Sequence, residues 1–396
     1  MTEVSDSARE TATGETNEDL PSGFWDVRRM PVPEGMSPLR RIAFAIRLPH
    51  WWNYKIPPAL GVGYSLTWLL AVPLHEVTVP LALLFLGGIT AGIFASVFND
   101  LMDFRQDWQA GKLTGVMTYS RGGRMGWLLF SLALMLAEWL LLLPYPRAQV
   151  CFLVIWLIHV AYTLPPIRLK EKGIWGVLCI AAGEHLLAAL LATMLILDAT
   201  GKLLPTVWFV ALMVWSAMIG IRSILWHQLC DFVNDRKANS RTFGARYSYD
   251  FLKRLGERVI FPVEATAFAL MLYLSHNPLA WAILAVHLYI EWTWHQFTEA
   301  NFTLVAPAPN HRFALFEYYQ VFWPLAFVLP GLGRDSGALP LLALQLLLFP
   351  QPIRDCLVHL GSLLRWRVWV FLLSRGQWPE TPKAMARRRQ SEQVPE

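Results

Sequence analysis

A succession of apolar stretches, each about twenty residues long, governs what this chain can become. A hydrocarbon core about 30 Å thick takes about twenty helical residues to cross. Such stretches recur at about 53–74, 77–98, 125–145, 148–165, 174–198, 204–229, 259–275, 278–297 and 314–332. A shorter one, at about 338–352, ends in Pro350 and Pro352 and suits either a tenth crossing or a helix lying in the interface. Only 16% of the 396 residues are charged, against roughly a quarter in a soluble domain, which is too little to clothe several water-facing cores. The expected fold is all-α: a polytopic membrane protein of nine, or ten, transmembrane helices. Cys151, Cys179, Cys230 and Cys356 lie singly in apolar segments, without the spacing of a zinc site or a bridge framework, and read as packing residues.

Residues 1–38 are polar and acidic, lack the apolar core of a signal peptide, and are expected to form a disordered cytoplasmic tail. The membrane domain is expected over 39–355, followed by a basic, amphipathic or disordered tail over 356–396 that includes Arg387, Arg388 and Arg389. Lys and Arg set the orientation. Arg105, Lys112, Arg121 and Arg124 fall on one side, with Arg168, Lys170 and Lys172 and then Arg236, Lys237, Arg241 and Arg246. The opposite loops hold only Arg147 and Lys202 up to Asn277. The basic side is expected to be cytoplasmic, so the net charge of +5 reports membrane topology and not nucleic-acid binding. Longer loops on that side mark a functional mouth.

Acids gather at two helix ends. The second stretch finishes in Asn99-Asp100-Leu101-Met102-Asp103, with Asp107 four residues on; the sixth finishes in His227 and Asp231, with Asp235 four residues on. At helical spacing Asn99, Asp103 and Asp107 share one face. The twelve residues from Asp103 match those from Asp231 at five positions, and the copies lie four stretches apart, on the same side of the membrane. Carboxylates brought together repel one another unless a cation sits among them. Hard oxygen donors suit Mg²⁺, which is commonly shared between carboxylates and substrate phosphates and makes a diphosphate a leaving group. Lys112, Arg121, Arg124, Arg168, Lys170, Arg236, Lys237 and Arg241 are the loop cations able to clamp such a group.

These residues resemble the UbiA superfamily of intramembrane prenyltransferases. Asn99, Asp100, Asp103 and Asp107 are similar to its Asn-Asp-x-x-Asp-x-x-x-Asp, and Asp231 and Asp235 to its Asp-x-x-x-Asp. Residues 236–242, Arg-Lys-Ala-Asn-Ser-Arg-Thr, are similar to the menaquinone-type branch; Tyr162–Lys170 resembles the family's Tyr-x-x-Pro-Pro-x-x-Leu-Lys segment. The resemblance spans about 40–335 and implies nine helices around a central cavity. It also implies a Mg²⁺-dependent enzyme that ionises an isoprenyl diphosphate, its tail in the bilayer, and transfers the prenyl group to an aromatic or lipid-like acceptor. By position, Asn99, Asp103, Asp107, Asp231 and Asp235 become metal and diphosphate ligands and Lys170 a diphosphate contact. Residues 117–124, Met-Thr-Tyr-Ser-Arg-Gly-Gly-Arg, stand where many relatives carry an Arg-Pro stretch. That departure keeps open a terpene cyclase of the same fold, which uses no acceptor. An ion-coupled transporter would instead place its ionisable groups near the midplane on broken helices.

The 19 Trp, 22 Phe and 11 Tyr belong mostly to interfacial belts, with Tyr162, Phe98, Phe104 and Phe232 nearest the motifs. Ionisable groups inside apolar stretches are costly and are paired or functional: Glu138, Glu184 with His185, Glu264, and Glu291 with His295. Glu184–His185 reads either as a pair that polarises an acceptor hydroxyl or removes a proton, or as an internal hydrogen bond between helices; His227, one turn before Asp231, reads as a group that orients that carboxylate or accepts a proton. The segment Asn301–Glu317, with Asn310-His311-Arg312, either covers the mouth or merely connects.

Overall fold

The computed structural model describes residues 32–109, 112–237, 240–297, 301–308 and 311–373. Most of the expected N-terminal tail, Asn239, Asn310 and the Arg387–Arg389 run lie outside the described residues.

Ser37 opens the fold by accepting a hydrogen bond from the Arg40 amide at 3.3 Å, with Pro38 pre-set for the first turn of α1 (Pro38–Ala45). Arg47, in the left-handed region at φ 48°, turns the chain into α2 (Leu48–Leu69). Next come α3 (Thr78–Met102), the short α4 (Phe104–Gln109), α5 (Arg121–Leu141) and α6 (Pro146–Thr163). α7 (Ile174–Ala181) continues through a π turn, Ala182–Leu186, into α8 (Leu187–Thr200), which Gly201 ends at φ 63°. α9 (Thr206–Cys230) leads to α10 (Phe232–Lys237), α11 (Phe243–Arg246) and α12 (Tyr249–Leu255). A second π turn, Gly256–Ile260, joins α12 to α13 (Phe261–Leu274), and α14 (Pro278–Phe297) follows.

Two three-residue strands, β1 (Asn301–Thr303) and β2 (His311–Phe313), pair in parallel with Phe302 opposite Arg312. A π turn at Tyr318–Phe322 then enters α15 (Trp323–Val328), and α16 (Ala338–Leu348) and α17 (Pro350–Leu373) complete the described chain. The expected domain boundary at 355 therefore falls inside α17.

The helix α2 lies against α3, α8 and α15, while α9 packs along α13, α3 along α5 and α6 along α8. At the centre of the bundle Trp215 meets Trp323 at 5.0 Å between ring centroids, and Phe268 meets Tyr319 at 4.8 Å. A smaller apolar cluster, including Val177, Leu225, Leu229, Phe243 and Val305, sits beneath the loops after α9. Leu129, Val150, Leu157 and Val207 on α5, α6 and α9 are each more than half exposed. Such a surface is untenable in water and ordinary against lipid.

Among the described residues five helical stretches are long and apolar enough to cross a bilayer: Leu74–Met102, Arg121–Leu141, Pro146–Thr163, Ile174–Thr200 and Thr206–Cys230. The other expected spans are helical too, but carry features that lower their apolarity or length. α2 contains Lys55 and the pair Pro57-Pro58, α13 is 14 residues long after its π turn, and α14 carries His287, Glu291 and His295. The segment expected at 338–352 breaks at Phe349: α16 and α17 meet at 77°, so one crossing would have to accommodate that bend.

One buried ion pair locks the second half. Arg222 on α9 and Glu264 on α13 are 1% and 0% exposed and bond in a fork at 2.6 and 2.7 Å. Arg222 also donates to the Leu304 carbonyl at 3.1 Å, and the Tyr319 hydroxyl donates to Glu264 at 3.1 Å. Arg222 thereby holds the Leu304 and Ala314 carbonyls, each just past one of the two short strands, against α9. Removing one partner strands a charge in an apolar interior. Arg222→Met is expected to destabilise the protein by about 3–5 kcal/mol, and the Arg222→Met/Glu264→Met pair by far less, both read from thermal unfolding in detergent.

Candidate active site

Both acid motifs begin where a long helix stops. α3 ends at Asp103 (φ −92°, ψ −1°) and α9 at Asp231 (φ −89°, ψ 2°). The Asp103 amide donates to the Asn99 carbonyl at 2.9 Å and the Asp231 amide to His227 at 3.0 Å. The Asp107 amide donates to Asp103 at 2.9 Å and that of Asp235 to Asp231 at 2.8 Å; Lys112 then donates to Asp107 and Ser240 to Asp235. The sequence repeat is thus also a backbone repeat. Asn99, Asp103 and Asp107 follow near-helical hydrogen bonding across the break, as their spacing predicts.

The 164–173 loop ties the copies together. Lys170 Nζ bonds Asp103 Oδ1, and Arg168 Nη2 reaches the same oxygen at 2.8 Å. Arg168 also binds Gln106 Oε1 and Glu171 Oε1, each at 2.5 Å. Its backbone is left-handed at φ 38°, a costly conformation that these partners hold in place. On the other flank Gly173 bridges to Thr242, and Arg246 donates to the Glu171 carbonyl at 3.3 Å. Thr242 in turn donates to Asp235 Oδ2 at 2.8 Å. The loop that pairs with Asp103 through Lys170 and Arg168 thus also reaches Asp235, through Gly173 and Thr242.

Burial, above all, raises the Asp107 carboxyl above the usual carboxylate range; Lys112, 3.8 Å from Oδ1, opposes this and Asp103 adds to it. Asp107 Oδ2 is buried with no hydrogen-bond partner. Burial also raises Asp235, the Thr242 hydroxyl opposing and the Asp231 charge adding. Lys170 is lowered, by burial first, although Asp103 works against the shift.

The five residues expected to ligate a metal do not form a ready cage. Among the described residues, no three His, Cys, Asp or Glu side chains converge closely enough to hold an ion. Asp103 is turned to Lys170 and Arg168, and one oxygen of Asp235 is taken by Thr242. The donors nonetheless fit Mg²⁺, which often accepts only one or two carboxylates and fills its shell with phosphate oxygens and water. The orphaned Asp107 oxygen is a hard donor of that kind.

Several expected cations are otherwise engaged. Arg124 is buried, 4.6 Å from the Phe104 ring centroid, and its Nε donates to the Tyr119 carbonyl at 3.1 Å. It holds the loop, because Arg124 is the buried residue of the first turn of α5, whose Arg121 and Gly122 are exposed. Arg236 lies 4.5 Å from the Phe232 ring and donates to the Tyr247 carbonyl at 3.0 Å, which commits it to its own loop. Arg121 is exposed at the start of α5, and Lys112 is mostly exposed beside Asp107. The side chain of Lys237 lies outside what the structure describes. Asp100 is buried against Arg47 and so anchors the start of α2. Met117 and Thr118 are buried, with Arg41 bonded to Thr118 and stacked 3.9 Å from the Tyr119 ring; this unusual segment docks α1. Glu291 pairs with His287 at 3.1 Å and not with His295, which meets Phe302.

Lys55 and Glu171 escaped the reading of the sequence, and Gln106 and Thr242 stood inside the repeat and the second motif without a role assigned to them. Lys55 carried a signal, a lone ammonium in an apolar stretch; the bonds that Gln106, Glu171 and Thr242 make are set by tertiary contact.

A family model described as the UbiA prenyltransferase family matches residues 57–314. No curated protein matches the chain. Among solved structures, a UbiA homolog from Archaeoglobus fulgidus bound to GPP and Mg²⁺ is 18% identical, covers 72% of this chain and 98% of its own, and superposes with a TM-score of 0.47. The same homolog bound to DMAPP and Mg²⁺ is 17% identical, covers 72% and 97%, and gives 0.48.

The two acids of the first motif should respond oppositely to neutralisation. Asp107→Asn removes a charge with an unbonded buried oxygen and is expected to stabilise the substrate-free protein by about 1 kcal/mol. Asp103→Asn weakens two charge-assisted bonds and is expected to cost about 1–3 kcal/mol. Thermal unfolding without substrate reads both.

Proposed function

This chain belongs to the UbiA prenyltransferase family, and we propose that it ionises an isoprenyl diphosphate at the mouth between α3 and α9 and passes the prenyl group to an aromatic or lipid-like acceptor. One observation carries the reading: two carboxylate motifs with the same backbone course are joined by a loop whose Lys170 and Arg168 already pair with Asp103.

The diphosphate competes for those two cations. When it binds, Lys170 and Arg168 exchange the Asp103 carboxylate for phosphate oxygens. Asp103 is released to join Asp107, Asp231 and Asp235 as hard donors, with Asn99 beside them on the first helix. Mg²⁺ held by these carboxylates neutralises the diphosphate and makes it a better leaving group. Burial assists, because charge interactions strengthen where water is excluded. Tyr162, at the end of α6 where the 164–173 loop begins, offers an aromatic ring able to attract an allylic cation. The likeness of 236–242 to the menaquinone-type branch supports an aromatic acceptor. The Lys and Arg excess in the mouth-side loops supports a cytoplasmic opening.

Purified protein given geranyl or farnesyl diphosphate with Mg²⁺ is expected to release diphosphate, and Asp103→Ala or Asp231→Ala to reduce the rate roughly 10²–10³-fold. Release that persists in a chelator would overturn the proposal. Terpene hydrocarbons formed without acceptor would assign the cyclase reaction instead.

A further inference from the structure

Arg168 is gripped from two directions, and a diphosphate that displaces Asp103 removes only one of those grips. Its Nε donates to Glu171 Oε1 and its Nη2 to Gln106 Oε1, each at 2.5 Å. Gln106 Nε2 donates to the same Glu171 oxygen at 3.3 Å, so the two braces also hold each other. Nε and Nη2 form one edge of the planar guanidinium, and Glu171 and Gln106 close that edge together. The other edge, Nη1 and Nη2, is turned to Asp103, 2.8 Å from Nη2, and to the Thr163 carbonyl, 3.4 Å from Nη1. A fork presented in this way suits two oxygens of a phosphate.

This is more than an ordinary loop ion pair. The Arg168 side chain is only 12% exposed, and its backbone, at φ 38°, persists because the surroundings fix it. Glu171 is 36% exposed, and a surface pair at i, i+3 contributes little to folding by itself. Gln106 lies within the first acid motif, between Asp103 and Asp107, so α4 carries both an acid and a brace for the cation. Lys170 is held differently: among the described residues its Nζ bonds Asp103 alone. Displacing Asp103 therefore loosens Lys170 but leaves Arg168 aimed.

We propose that Glu171 and Gln106 are positioning residues that keep the Nη1–Nη2 edge of Arg168 directed at the diphosphate once Asp103 has let go. Arg168 is then the fixed anchor of the diphosphate and Lys170 the mobile one. The inference rests on the diphosphate site proposed above. A guanidinium already oriented loses less freedom on binding than a loose side chain, so the brace strengthens capture. It acts on binding and not on bond breaking, because Arg168 holds the group before and after the prenyl carbon departs.

The test uses full-length protein in nanodiscs with Mg²⁺, geranyl diphosphate as substrate and inorganic diphosphate as a competing ligand. Glu171→Ala and Gln106→Ala are each expected to raise KM for geranyl diphosphate and the inhibition constant of inorganic diphosphate about tenfold, with kcat within about threefold of wild type. Glu171→Gln keeps an acceptor for Nε and is expected to recover most of that loss. Gln106 lies on the surface, so its variant is informative even if Glu171→Ala unfolds. In an Arg168→Met background either alanine substitution is expected to add less than about twofold, because the group it positions is gone. A merely structural brace would act equally in both backgrounds. The full effect in the Arg168→Met background, or kcat falling with KM unchanged, would overturn the inference, and so would a wild-type KM in both alanine variants. Arg168→Met protein that binds diphosphate as tightly as wild type rejects the inference alone. Wild-type protein that releases no diphosphate rejects the proposed function as well.

Discussion

A charge in a bilayer must find a partner or perform a task, and that rule organises this molecule. Arg222 and Glu264 found partners in each other. Arg47 and Asp100 did the same where α2 meets α3. Asp107 Oδ2, like Glu138 Oε1 on α5, is buried without a hydrogen-bond partner. Folding alone does not favour such a group, and local instability of this kind is commonly retained where a ligand will satisfy it.

The acids are useful because each motif straddles the end of a helix and a short continuation, a geometry the chain builds twice. Ending α3 at Asp103 and α9 at Asp231 leaves Asp231 exposed and turns Asp103 onto Lys170 and Arg168, while the hydrogen bonds through Asp107 and Asp235 keep the second pair in helical register. The 164–173 loop then serves as a shared wall, bonded to Asp103 through Lys170 and to the other copy through Gly173 and Arg246. With Lys170 and Arg168 on Asp103, the substrate-free site holds its own counter-ions. An anion with more oxygens than a carboxylate is the natural competitor for them.

The candidate site residues could be picked out along the chain because helical spacing and loop position are local properties. Asp103, Asp107, Asp231 and Asp235 are recognisable from four-residue spacing at the ends of apolar stretches, and Lys170 from its place in the middle loop. Arg124 and Arg236 show the limit of that reasoning. Both are cations in the correct loops, but one is buried beside Phe104 and the other bonds Tyr247. Which way a loop arginine turns depends on neighbours far away in sequence. Similarly, Glu291 has a histidine one turn to either side, and packing against Tyr318 and Phe322 selected His287.

The order of residues by itself determined an α-helical membrane protein with two related acidic helix ends, because hydrophobic length and helical periodicity are written in consecutive positions. Only the tertiary structure decided which of the loop cations meet those acids and that Lys55 joins Glu184 across 129 positions of chain. It also decided that the 117–119 turn serves to dock α1. Those outcomes depend on how rods pack side by side, where a glycine at 220 or a π turn at 182–186 moves side chains by a residue's width. No local pattern encodes such contacts, since the groups that meet belong to different helices and are brought together only when the bundle closes.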